Sequence, residues 1–165
     1  KADIDALGIA ASSITGALPA IDGAALTGTG KVLQVVTSED GGYTSTASTS
    51  FVQIHSFSIS NVLSTSTVHI TAAISHLIEG SGSGGYEITK SDGTVLAKSQ
   101  HGTSGNGGWR MILPTLIGKD TSPSAGTNTY IIKMASTGGG TTVYYNYWHT
   151  NNFNTKSFYQ ITEVA

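Results

Sequence analysis

Beyond Gly30 the chain never sustains a helical period. β-Branched and aromatic residues come in short runs, each ended by glycine, serine, asparagine or aspartate, and that grammar predicts strands and turns packed as a sandwich or barrel. Nine strands are expected, at about 31–37, 51–60, 67–77, 86–90, 94–99, 109–117, 128–136, 141–149 and 157–164. The Asp-Gly pair of SDGT at 91–94 marks a tight hairpin, and TGGGT at 137–141 is expected to join the last two long strands in the same manner. No stretch alternates a strand with a long helix, which argues against a parallel βαβ fold. Composition agrees, since 21 Ser, 23 Thr and 21 Gly make up 65 of the 165 residues. With 38% of residues apolar, the chain has enough hydrophobicity to fold rather than stay disordered. Its length suits one domain that buries roughly two thirds of its unfolded surface.

TTVYYNYWHT, residues 141–150, poses a packing problem within that fold. Side chains alternate faces along a strand, so Val143, Tyr145, Tyr147 and His149 share one side while Tyr144, Asn146 and Trp148 share the other. One face can be core, and the bulky rings of the other need a cover.

The first thirty residues obey a different rule. Ile4, Leu7, Ala11, Ile14, Leu18, Ile21 and Ala25 recur at alternating intervals of three and four, the seam of a coiled coil. Gly8, Gly16, Pro19 and Gly23 interrupt the seam, so at most the first three turns are helical, and GALPAIDGAALTGTG is an extended connector. Residues 1–30 are therefore expected to form a short helical or extended neck, and residues 31–165 a head. Ile4, Leu7, Ile14, Leu18 and Ile21 are candidates for contact with copies of the same chain, the alternative being a stub packed on its own head. The chain opens at Lys1 without a Met, and a fragment of something longer is expected.

Several chemistries find little support. There is no cysteine, hence no disulfide and no thiolate. A net charge of −2 leaves no basic stripe for a phosphate backbone, so nucleic acid is not expected as a partner. The longest apolar runs, such as MIL and YII, fall far below the roughly 20 residues a membrane helix requires, so membrane insertion is not expected either. GSGSGG at 80–85 satisfies G-x-G-x-x-G, but a strand and hairpin follow it rather than a helix, so a flexible loop is expected there and no dinucleotide cofactor. His55, His69, His76, His101 and His149 include no pair two apart, and no metal site is predicted; the one arrangement left open is an axial ion held by a single histidine repeated around a symmetry axis, such as His55. Acidic residues are scattered, with Glu79 and Glu87 the best pair for glycoside cleavage, and GTSGNGG lacks the strand-to-helix context of a nucleophile elbow. No enzyme activity is expected.

Five stretches carry a resemblance to a known group: LPAIDGAALTGTGKVLQVVT, STSFVQIHSFSIS, TNTYIIKMAS, GGGTTVYYNY and the closing SFYQITEVA with its glutamate two positions from the end. They are similar to bacteriophage tail-fibre and other virion appendage proteins, a resemblance of strand-and-turn texture that extends over most of the chain. That resemblance implies a homotrimer in which a thin neck leads to a compact antiparallel β-sandwich head, jelly-roll-like, on the virion tail fibre and outside the cell. It also implies contact of the head with the host surface, through a saccharide or an outer-membrane protein, and no cofactor. YYNYWH and GWRM depart from that texture.

Aromatic faces stack on sugar rings, and amides and guanidinium groups hydrogen-bond their hydroxyls. Trp109, Arg110, Tyr144, Asn146, Trp148, Asn151 and Asn152 are therefore the expected receptor-binding residues, with Tyr145 and Tyr147 turned to a neighbouring subunit. Each aromatic could instead be core. HTNNFNTK at 149–156 and SQHGTSGNGGW at 99–109 are the loops placed to display a site. Two alternatives stay open: a monomeric carbohydrate-binding module or adhesin domain of a secreted bacterial protein, with the first thirty residues as linker, and an architectural fibre piece that touches no receptor.

Overall fold

The computed structural model describes residues 30–79, 82–102, 109–138, 141–147 and 155–165, and all regular structure in them is antiparallel β. The strands are β1 (Val32–Asp40), β2 (Thr44–Thr46), β3 (Val52–Val62), β4 (Thr67–Ala73), β5 (His76–Glu79), β6 (Ser83–Lys90), β7 (Val95–Gly102), β8 (Trp109–Ile112), β9 (Thr115–Asp120), β10 (Gly126–Gly138), β11 (Val143–Tyr145) and β12 (Ser157–Val164). They pair in the orders β1-β12-β4-β9, β2-β11-β5-β8 and β3-β10-β6-β7.

The first two orders match strand for strand. β1 runs on into β2, β4 into β5, β8 into β9 and β11 into β12, so these are two parts of one interrupted layer. Counted as composites, the eight strands follow the order 1-8-3-6 in the interrupted sheet and 2-7-4-5 in the continuous one. That is the strand order of a jelly roll. The expected all-β sandwich is therefore present. The neck, residues 1–29, lies outside the described residues.

The interruptions have local causes. Pro114 cannot donate to a ladder, though its carbonyl accepts from the Ile74 amide at 2.9 Å. Asp40 ends β1 by accepting the Gly42 amide on its carboxylate at 2.7 Å, an Asx turn. Asn146 ends β11 in the left-handed region, with φ 51°. The expected unbroken strands 67–77 and 109–117 are thus each two strands, and of the described residues of the expected 141–149 strand only Val143–Tyr145 are in one.

Alternation along the strands fills the space between the sheets. Tyr159 and Ile161 of β12 point inward with Val68 and Ile70 of β4, and they meet Tyr86 and Ile88 of β6 and Tyr130, Ile132 and Met134 of β10. Four tyrosines, Tyr86, Tyr130, Tyr145 and Tyr159, are fully buried. Burying each ring gains about 1.5–3 kcal/mol, and an orphaned hydroxyl would cost about 1–3 kcal/mol. The hydroxyl partners therefore decide the balance: Tyr86 donates to Met134 Sδ at 3.2 Å and Tyr130 to Asp120 Oδ2 at 3.1 Å.

SDGT forms the expected hairpin between β6 and β7, with Gly93 at φ 90° and the Lys90 amide bonded to the Thr94 carbonyl at 2.9 Å. Two other expectations are corrected. TGGGT makes no hairpin, because β10 belongs to the continuous sheet and β11 to the interrupted one, so the chain crosses between layers there. Ser83, Gly84 and Gly85 of GSGSGG open β6 instead of forming a loop. A Cβ on Gly84 would stand 3.0 Å from Val143 and 3.1 Å from His76, so the glycine permits the two layers to approach.

Glu163 has a structural task. Its carboxylate accepts from Ser66 Oγ (2.6 Å), the Leu63 amide (2.8 Å) and Gln34 Nε2 (2.6 Å), tying the β3–β4 turn to β12. Burial works to raise its pKa, and these donors outweigh burial and hold it below the ordinary value.

Candidate functional site

The two sheets differ in what they show to solvent. The continuous sheet presents hydroxyls and paired charge with Val52 and Val95 exposed among them: Ser58 and Thr129 bond across strands at 2.8 Å, and Glu87 sits between Lys133 (3.5 Å) and Lys98 (3.9 Å). The outer face of the interrupted sheet sets large exposed apolar side chains among hydroxyl-bearing and charged residues. Register places Phe158 beside Ala73 and Glu39, Gln160 beside Thr71 and Thr37, and Ile117 beside Thr71. Ile117 is 70% exposed, Leu113 69% and Phe158 56%, and Val35 and Met111 are more than half exposed.

These side chains fall into two patches of different chemistry. Met111, Leu113 and Ile117 form an aliphatic stripe on the β8–β9 edge. Phe158, one strand inside the opposite edge, stands in a shallow groove lined by Thr37, Glu39, Thr71, Ala73 and Gln160, whose two lobes enclose about 270 and 210 Å³. At its rim Lys156 Nζ meets Glu39 Oε1 at 2.7 Å.

Farther along the same sheet, Tyr43, Tyr144 and Tyr147 cluster. Tyr144 and Tyr147 have ring centroids 4.9 Å apart, and Tyr43 lies 5.6 Å from Tyr147 and 6.4 Å from Tyr144. Strict alternation would put Tyr147 with Tyr145; the left-handed turn at Asn146 brings it to Tyr144 instead. Tyr43, half exposed, was missed in the sequence, where it stands in a glycine and serine turn with no apolar neighbours to mark it.

Behind the groove lies a polar cluster that holds the ends of the 146–157 segment. Asp40 Oδ2 accepts from Tyr145 OH at 2.8 Å and lies 3.2 Å from His55 Nδ1, while Tyr145 and Tyr159 share a hydroxyl bond. The His55 ring stacks on Tyr159 at 4.4 Å, and its Nε2 is buried without a partner. Burial, offset in part by bonds from Tyr145 and Ser157, pushes the Tyr159 hydroxyl up to about 12. Asn146 Nδ2 donates to the carbonyls of Asp40 (2.7 Å) and Gly42 (3.2 Å), and its Oδ1 accepts from Ser157 Oγ at 2.7 Å.

The structure separates the expected site residues. Tyr144 and Tyr147 share the outer face as a half-buried pair. Two placements are corrected: Asn146 is 1% exposed and bonded to its own chain, not turned to a receptor, and Tyr145 is core, not a subunit contact. Trp109 and Arg110 open β8 opposite Glu79 and Ile78, and their side chains lie outside the described residues. So do Trp148, Asn151, Asn152, Ile4, Leu7, Ile14, Leu18 and Ile21. Phe158 and the aliphatic stripe are the surface features that the sequence concealed, because a strand with one apolar face looks the same whether its outward residues are covered or not. Among the described residues, no three His, Asp or Glu side chains gather as metal ligands.

No protein-family profile and no curated protein matches the chain. Among solved structures, the arabinose-bound α-L-arabinofuranosidase MgGH51 superposes with a TM-score of 0.30 and 18% identity, over 62% of this chain and 15% of that one. The VP2 subviral particle of infectious bursal disease virus gives 0.24 and 12%, over 79% and 40%, and the Gt strain of the same virus 0.26 and 12%, over 82% and 42%. The chain spans less than half the length of each of these proteins. Superpositions this loose carry no argument about fold or function.

Proposed function

We propose that this chain is the head of a homotrimeric virion attachment fibre, carried on residues 1–30, which binds a host cell-surface saccharide or outer-membrane protein and catalyses no reaction. The observation that carries the reading is the set of large apolar side chains that the interrupted sheet leaves exposed. Met111, Leu113 and Ile117 along one edge, with Phe158 across the sheet, make apolar surface of the kind that meets another molecule. An aliphatic stripe on a sheet edge suits a second copy of the chain, and three copies multiply weak sites into firm attachment. The tail-fibre resemblance of the sequence supports the same assembly. Trp109, Arg110, Tyr144, Trp148, Asn151 and Asn152 are retained as proposed receptor contacts.

Light scattering on the purified chain, together with binding of fluorescently labelled protein to candidate bacterial cells before and after removal of surface polysaccharide, tests the proposal. A three-chain mass and saturable adhesion are expected. A species that stays monomeric at high concentration yet binds sugars would favour the carbohydrate-binding module, and trimers that adhere to no cell would favour an architectural piece.

A further inference from the structure

We infer that the groove around Phe158 is a binding subsite for one ring of a neutral saccharide, a hexose or N-acetylhexosamine. The inference rests on the attachment reading only for where that sugar comes from. A pyranose offers an apolar face of C–H groups rimmed by hydroxyls that both donate and accept. The groove is the complement of that shape. Phe158 supplies a flat ring, 56% exposed, on β12, which is paired along its whole length to β1 and β4, so the platform is rigid. The strand neighbour on the β4 side is Ala73, whose side chain is too short to cover the ring.

The polar groups around the ring match the hydroxyl rim. Thr37 and Thr71 flank Gln160 on either side, and their hydroxyls have no hydrogen-bond partner among the described residues. Gln160 spends one N–H on Thr162 Oγ1 at 3.1 Å and keeps its carbonyl oxygen. Glu39 gives one oxygen to Lys156 and has the other left to accept. Because that pair cancels its own charge, the rim selects neither anionic nor cationic sugars. The lobe volumes of about 270 and 210 Å³ lie just under the ~300–1,000 Å³ of pockets that enclose a drug-sized ligand, which fits a single ring better than a chain. The aliphatic stripe on β8–β9 has no such rim and serves a protein surface instead.

Saturation-transfer NMR on the full chain, with the methyl glycosides of glucose, galactose and N-acetylglucosamine as probes and amide shifts recorded in parallel, tests the subsite. At least one probe is expected to receive saturation at its ring C–H protons and to shift the amides of Thr37, Thr71, Phe158 and Gln160. Phe158→Ala should weaken that binding about tenfold, and Phe158→Trp should keep it, with the fold of both variants checked by their spectra. No response to any probe at tens of millimolar, shifts confined to another face, or unchanged affinity in Phe158→Ala would overturn the inference. Cell adhesion that survives Phe158→Ala would leave the attachment reading intact while removing this site from it; glycoside binding without adhesion would do the reverse.

Discussion

Asn146 shows how one side chain can be recognised correctly by type and wrongly by partner. Its amide satisfies backbone groups more than a hundred residues earlier in the chain, and no local pattern reveals such partners. Asn146→Ala removes those bonds and forces alanine into the left-handed region, so unfolding in urea should show a loss of about 3 kcal/mol, with Asn146→Gly losing less. His76 is a second case. It is 1% exposed, neither ring nitrogen has a hydrogen-bond partner among the described residues, and burial, aided by the nearby His101, lowers its pKa to about 4. The folded state therefore holds it neutral while the unfolded chain takes up a proton near 6.5. Stability should be unaffected above pH 6.5, fall as the pH drops from 6.5 toward 4, and level off below. At pH 5 the loss is roughly 2 kcal/mol. Denaturation curves at pH 7.5 and 5 measure it, and in His76→Leu this part of the acid dependence should vanish.

Strands were legible in the sequence because alternation is a local signal; their interruptions were not. All nine expected runs fall on observed strands, yet the breaks at 41–43, 74–75 and 113–114 line up across neighbours that are distant in the chain. Pro114 was the one visible clue, standing inside a run assigned to a single strand. The glycines of β6 misled for a related reason. A glycine-rich stretch looks like a loop until the opposite layer is known, and here Val143 and His76 occupy the space its side chains would need. Gly84→Ala should consequently overpack the interior and cost about 1–3 kcal/mol, seen as a lower urea midpoint with unchanged slope.

Across the whole molecule, the question of what covers the rings of 143–147 has an unexpected answer. The sandwich hides Tyr145 itself, Tyr144 and Tyr147 pack on each other and on Tyr43, and the uncovered surface is largely aliphatic and on other strands. Tyr145 needs no partner surface, and where the exposed apolar side chains lie was not readable from one chain's pattern. In the proposed trimer, Ile117→Glu and Leu113→Glu, both at exposed positions, should leave stability within about 0.5 kcal/mol while lowering the mass seen by light scattering from three chains toward one. Finally, β11 and β12 are two halves of one strand, and the segment between them leaves and returns at a point stapled by the Ser157–Asn146 bond. Doubling the length of such an insert costs only about 0.6 kcal/mol of closure entropy. A longer insert at that port would therefore cost the sandwich little.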